Sequence, residues 1–291
     1  MDYVTAKEKS EEWGISLRRV QAFCEEDRIE GVSRMGKIWV IPKDAEKPSD
    51  LRYSKNRQKN DLIQRLRGTL KTQVFAGMLG SKEYDMYSYD AQSNSICITS
   101  TNKIYFYGDN FRLLTSAIKR IKDTYGSCRF SFIDLKVKMF ICRQYSVAQC
   151  TTFDAYYLER YKDIEITKDT FQVSRSDIPL ICGCSMYRDD KLYTRIENNV
   201  LNRFSAGIYI KNNLVSWALI YANNTIGPVH TIDEYRNNGY ASKVVASVSC
   251  ELFSQGYYPI ATIDPNNNLS KKLFEALKFE MFDSYYWISI T

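Results

Sequence analysis

The stretch 235-YRNNGYASKVV-245 is the strongest constraint on how this chain folds. Before it runs 226-IGPVHTI-232, a strand pattern; after it Ala241, Val244, Val245, Val248 and Leu252 fall on one helical face, Gly256 stops the helix, and 259-PIATI-263 reads as another strand. A strand that passes through a polar turn straight into an amphipathic helix requires a core built from both element types. The turn also has chemical meaning. A helix N-terminus carries unpaired amides and the positive end of the dipole, which suits a pyrophosphate. Gly239 removes the Cβ that would obstruct such a group, small Ala241 keeps the next turn open, and Arg236 adds a charged donor. An ordinary Asn-Asn-Gly turn ahead of a helix is the plainer reading.

The surrounding elements extend the pattern. A helix is expected near 191–203, followed by a hairpin of Gly207-Ile208-Tyr209-Ile210 and residues 214–220 around Lys211-Asn212-Asn213. Downstream come the turn 264-DPNNN-268, a helix with Leu269, Leu273 and Leu277, and a last strand through Tyr285-Tyr286-Trp287-Ile288.

With Arg236-Asn237-Asn238-Gly239-Tyr240-Ala241 between strand and helix, and Asn267-x-x-Ser270, Leu273-Phe274 and Leu277-Lys278-Phe279 behind it, residues 174–291 resemble the GNAT acyltransferase superfamily. Asp233-Glu234-Tyr235-Arg236 and the half preceding the core look most like its glycine N-acyltransferase group. The resemblance implies a mixed-sheet acyltransferase core that takes acetyl-CoA or another acyl-CoA and an amine acceptor. It assigns Arg236, Asn237, Asn238, Gly239, Tyr240 and Ala241 to the pyrophosphate, Val229 and Thr231 to the pantetheine arm, and Asn267 and Ser270 to the second cofactor-binding block.

Acyl transfer to an amine needs a base, polarisation of the thioester and an acid for the leaving thiolate. The resemblance suggests Glu234 as base, although beside Arg236 it would serve equally as an ion-pair partner. His230, the single histidine, is the second candidate. The family commonly has a tyrosine acid where this chain has Phe274, which has no proton to give, so Tyr285, Tyr286, unaided departure or loss of catalysis remain open. Lys278 stands where glycine is common.

At the other end, Thr5-Ala6-Lys7-Glu8 is a capping box that starts a helix at Ala6; Gly14 ends it, and Ser16 starts a second through Val20 and Cys24. Residues 32-VSRMGKIWVIP-42 read as a hairpin around Met35-Gly36. This order resembles the excisionase and MerR-type helix-turn-helix domains over about the first 45 residues. It implies a winged module in which Ser16, Arg18 and Arg19 meet bases or phosphates of double-stranded DNA, and Arg34 and Lys37 meet phosphates. Protein docking is the alternative, and such modules often pair as homodimers.

The expected architecture is α+β: a winged helix-turn-helix over 1–48, a basic linker over 49–60, an accessory α+β domain over 61–160 and the acyltransferase domain over 161–291. Of the excess charge of +6, residues 51–71 supply as much by themselves, with seven cations against Asp61 alone. In the accessory part, residues 95–99 and 103–107 suggest a hairpin and Leu113, Leu114, Ala117, Ile118 and Ile121 a helix; its tyrosines, from Tyr84 to Tyr161, read as the edges of a core. The eight cysteines form no C-x-x-C and are expected to be reduced thiols of a cytoplasmic protein; Cys182-Gly183-Cys184 reads as buried thiols in preference to a metal pair. No apolar run reaches the roughly 20 residues needed to span a bilayer.

Overall fold

The computed structural model describes residues 2–48, 51–160, 169–185 and 189–291, and only the backbone of 51–55. It divides into two units, Met1–Asp61 and Leu62–Thr291.

The first unit contains β1 (Tyr3–Thr5), α1 (Ala6–Trp13), α2 (Leu17–Glu25), β2 (Ser33–Met35) and β3 (Ile38–Pro42), with sheet order β1-β3-β2. The capping box forms as its spacing predicts. Thr5 Oγ1 accepts from the Glu8 amide at 3.3 Å, and the Glu8 carboxylate accepts from the Thr5 amide at 2.7 Å. Gly14 closes α1 at φ +62°, so α2 begins three residues after Gly14. Between the helices and β3, Ala6, Val20, Phe23, Cys24, Ile29 and Ile41 form a small core. Lys9 is buried beside it, its ammonium satisfied by Glu12 at 2.9 Å and the carbonyls of Lys43 and Ala45.

Among the described residues, the expected linker is helical. α3 (Leu51–Arg67) runs through most of 49–60 and across the boundary between units. No Pro or Gly interrupts that stretch, and Leu62 and Leu66 anchor its end by burial in the second unit's core. Ser49 and Asp50 lie outside the described residues, as do Tyr161 and the expected domain start at 161.

The second unit continues with α4 (Gln73–Ser81), β4 (Met86–Asp90), β5 (Ser95–Ser100), β6 (Lys103–Tyr107), α5 (Phe111–Tyr125), β7 (Cys128–Ile133), α6 (Leu135–Gln144) and β8 (Val147–Tyr157). After these come α7 (Ile178–Gly183), α8 (Leu192–Asn202), β9 (Ser205–Ile210), β10 (Asn213–Ile220), β11 (Thr225–Thr231), α9 (Tyr240–Ser254), β12 (Ile260–Ile263), α10 (Asn268–Ala276) and β13 (Glu280–Ile290).

Its strands form one ten-stranded sheet, ordered β4-β5-β6-β7-β13-β8-β12-β11-β10-β9. The separation of an accessory domain at 61–160 from a core at 161–291 is therefore corrected: both lie in one sheet and one unit. The order has an internal two-fold pattern. Replacing β4 to β8 by β9 to β13, and the reverse, reproduces the same list read backwards. Each half has an antiparallel meander and then one parallel pair bridged by a helix, β6 and β7 through α5, β11 and β12 through α9. Each half's last strand crosses to the other: β13 pairs with β7, β8 pairs with β12, and β8 and β13 pair with each other at the centre.

Both parallel pairs separate after a few residues. β11 meets β12 only at Thr225↔Ile260 and Ile226↔Ala261, although β11 continues to Thr231. A wedge thus opens between the ends of the two strands. α9 covers one face of the second half, where Val244, Val245, Val248 and Leu252 join the main core, and α7 and α8 cover the other over Leu214, Trp217 and Leu219.

Candidate active site

The wedge leads into residues 232–239, whose backbone is held from within. Asp233–Tyr235 form a short 3-10 turn, the Asn238 side-chain amide donates to the carbonyls of Tyr235 and Arg236 at 3.1 and 3.0 Å, and Asn237 adopts φ +63°. Arg236 is fastened back onto the loop. It pairs with Asp233 at 2.6 Å and donates from Nε to the Thr231 carbonyl at 3.3 Å. It therefore positions the loop as well as adding positive charge.

Gly239 is the N-cap of α9 at φ +73°, and a Cβ built on it would meet nothing within 4 Å. Its role is thus conformational, and the approach to it from outside is clear. No side chain caps α9. The first-turn amides, at Tyr240, Ala241 and beyond, are left for an external acceptor, with the helix dipole behind them. This is what the residues present must offer if an acyl-CoA pyrophosphate is to sit there, and they offer it. Val229 and Thr231 lie on the part of β11 that has left β12, so their strand has backbone groups available to an extended arm. The Thr231 hydroxyl itself is 2.8 Å from that of Ser216.

The second block forms a helix cap. Asn267 Oδ1 accepts from the Ser270 amide at 3.0 Å and so starts α10 beside the wedge. Lys278 takes φ +65°, the left-handed conformation for which glycine is the common choice, so the turn survives the change of residue. Phe274 is buried and packs edge-on against Phe279 with centroids 4.9 Å apart. At this position the chain has a core side chain and no acid.

Tyr285 and Tyr286 are the sequence's candidates to replace that acid, beside unaided departure and loss of catalysis. The structure puts both on β13 among groups of the first half. Tyr285 is buried against Phe132 of β7, its hydroxyl pKa pushed up by burial and then by Asp283; Tyr286 lies under the ammonium of Lys138 of α6 at 4.1 Å. Of the two bases, His230 stacks on Trp217 at 4.8 Å between centroids, its pKa lowered by burial first and by Arg236 second. Glu234 is exposed, and the ion pair considered for it belongs to Asp233.

Sequence reasoning missed one charged pair beside the wedge. Asp154 of β8 is buried opposite Ile263, the last residue of β12, and holds Lys271 of α10 at 2.8 Å. No local pattern marks it, because strand pairing between β8 and β12 brings together residues more than a hundred positions apart.

Known proteins share this fold. The profile of the FR47-like protein family matches residues 205–288. A solved protein of Drosophila melanogaster superposes with a TM-score of 0.64 at 13% identity, over 82% of this chain and 96% of that one. A GCN5-related N-acetyltransferase from Kribbella flavida gives 0.53 at 12% identity, over 77% and 96%. This is the GNAT acetyltransferase fold. A tandem GNAT protein of the clavulanic acid biosynthesis pathway gives 0.50 at 6% identity, over 80% and 94%. No curated protein sequence matches the chain. Within the GNAT fold described here, the second half alone leaves its crossover helix uncapped. No described helix is long and apolar enough to cross a membrane.

Proposed function

We propose that the chain is an acyl-CoA-dependent N-acyltransferase. The observation that carries this is the uncapped N-terminus of α9 at the mouth of the β11–β12 wedge. Acyl-CoA, when bound, supplies the thioester. The amides after Gly239 and the charge of Arg236 would hold its pyrophosphate, and β11 from Val229 to Thr231 would align the arm. Neutral His230 would accept the proton of the attacking amine, directly or through a water, since burial and Arg236 keep it unprotonated at neutral pH. Glu234, the base suggested by the likeness to glycine N-acyltransferases, sits in solvent and ranks second. With Phe274 buried, the leaving thiolate would take its proton from solvent.

Thiol release from acetyl-CoA with a panel of amines tests this. Turnover that falls at least tenfold in His230→Ala fits the proposal; tight CoA binding with no release above background for any amine sinks it. That second outcome matches the other reading, a sensor that binds acyl-CoA without turnover, which the buried Phe274 favours.

For the first unit we propose contact with duplex DNA. Two short helices meet at a tight turn beside a hairpin, and Ser16, Arg18, Arg34 and Lys37 are exposed. Arg19 is partly withdrawn over the Phe23 ring at 4.7 Å. Binding should weaken as salt rises and fall in Arg18→Ala; duplex binding unchanged in that variant counts against the assignment.

A further inference from the structure

A cluster of cations sits at the edge of the sheet where the wedge opens. Following the pairings from β11 through β12, β8, β13 and β7 to β6, the starts of β6 and β7 lie at the same sheet edge as the ends of β11 and β12. There Lys103 and Arg129 are register partners. Their neighbours Ile104 and Phe130 are buried under α5, so alternation turns Lys103 and Arg129 to the other face, the one covered by α7 and α8. Lys191, at the start of α8, reaches across to the Thr101 hydroxyl at 3.2 Å, and Arg195 follows on the same helix.

The face is the one His230 uses. His230 stacks on Trp217, and Trp217 packs in the core under α7 and α8. Two thiols link the places: Cys182, in the last turn of α7, feels Arg195, and Cys184 feels Asp233, the partner of Arg236.

The charges do not balance. Asp189 pairs with Arg195 at 3.1 Å, and Arg129 donates to the neutral side chain of Asn102. Lys191 meets only a hydroxyl, and no hydrogen bond or ion pair is seen at Lys103 among the described residues. Burial first, then Arg129 and Arg195, lowers the pKa of Lys103. Four cations lie among the carboxylates of Asp189, of Asp190 beside Lys191, and of Asp85, which accepts from the Thr101 amide, and an anion joining the half-buried Lys103 would offset the positive charge that is left.

We infer that the Lys103, Arg129 and Lys191 cluster, supplied by the first half and the start of α8, binds a carboxylate on the acceptor, and that the acceptor is an extended peptide acylated at an amine near His230. This rests on the acyltransferase reading for where the amine lies. The span sets the length. Four inter-strand spacings separate β7 from β11, which carries His230, roughly 19 Å, which an extended peptide covers in about five or six residues. A small amine with its own acid group a few atoms away does not reach.

The test pairs turnover with direct binding. An N-terminally free pentapeptide ending in a carboxylate is compared with the same peptide ending in an amide, using acetyl-CoA and thiol release. The acid form should show kcat/KM at least tenfold higher, and Lys103→Met and Arg129→Met should bring the ratio to within about threefold. Independently, calorimetric titration with the N-acetylated pentapeptide acid and amide should show the same preference and the same loss. If a variant fails to fold, Lys191→Met, which gives up only a hydroxyl contact, reads the same ratio. Equal affinity for acid and amide, a preference untouched by the variants, or a stronger preference for a short amino-phosphate overturns the inference. Selective binding without turnover would retain the anion site and reject the enzyme reading; turnover without selectivity would do the reverse.

Discussion

The two halves of the ten-stranded sheet follow one plan and treat the same helix in opposite ways. In the first half α5 begins after a short turn, Tyr107-Gly108-Asp109-Asn110, and its donors are committed inside the protein. Ser95 Oγ accepts from the amides of Asp109 and Asn110 at 3.0 Å each, and Asn110 Oδ1 accepts from the Leu113 amide at 3.2 Å. The wedge beyond it is occupied, with Tyr285 against Phe132 and the Asp283 carboxylate paired to Lys71 at 3.0 Å. In the second half the loop has eight residues, 232–239, against three, 108–110, in the first; no side chain caps α9, and the wedge has free strand on one side. A shared fold thus supplies a structural helix in one half and a candidate anion cradle in the other, and the loop makes the difference.

Substitutions at matched positions can break that contrast. The largest effect is expected at Gly108, at φ +109°, where an added Cβ would come within 2.7 Å of the Ser95 Cα. Gly108→Ala should cost about 3 kcal/mol in denaturant unfolding, with acyl-CoA affinity of the folded fraction retained. Next, Gly239→Val places a β-branched residue at φ +73°. It should weaken CoA binding about 30-fold by calorimetry, roughly 2 kcal/mol, with little change in unfolding midpoint beyond the strain. A fold lost at Gly239, or an affinity lost at Gly108, would erase the division of labour.

Asn110→Ala removes a cap and should cost about 1 kcal/mol of stability while leaving CoA affinity within twofold. The smallest effect concerns pH. Because the folded state lowers the pKa of His230, the unfolded chain takes up that proton first as pH falls. Its contribution to stability is therefore full above the ordinary histidine pKa, declines as pH drops through that value and levels off below the lowered folded one. Comparing the Tm of the wild type and His230→Gln between pH 5 and pH 8 reads it; a stability gain on acidification assigned to His230 would reverse the sign.

How much of this was legible in the sequence depended on how local the cause was. The capping box at Thr5, the hairpins, α5, α9 and the turn at Gly239 all follow from residues within a turn or two of each other, and they form where spacing predicts. α3 was misread as linker because its basic side chains and neighbouring prolines resemble a loop; burial of Leu62 and Leu66 by distant residues stabilises it instead. β7 and β8 could not be placed, since their partner is β13, whose pairing of Phe153 with Tyr285 crosses most of the unit. The same distance hid the merging of two expected domains, and it is why Tyr285, close in sequence to the second block, serves the first half.

The exchange of β8 and β13 has a consequence for how the protein is made. The first half lacks its neighbour to β7 until β13 has left the ribosome, so the two halves close together once β13 has emerged. The sheet should consequently form in one slow, cooperative step governed by long chain closures. Until then the exposed edges of β7 and β8 are the nascent chain's main invitation to chaperones or to mispairing.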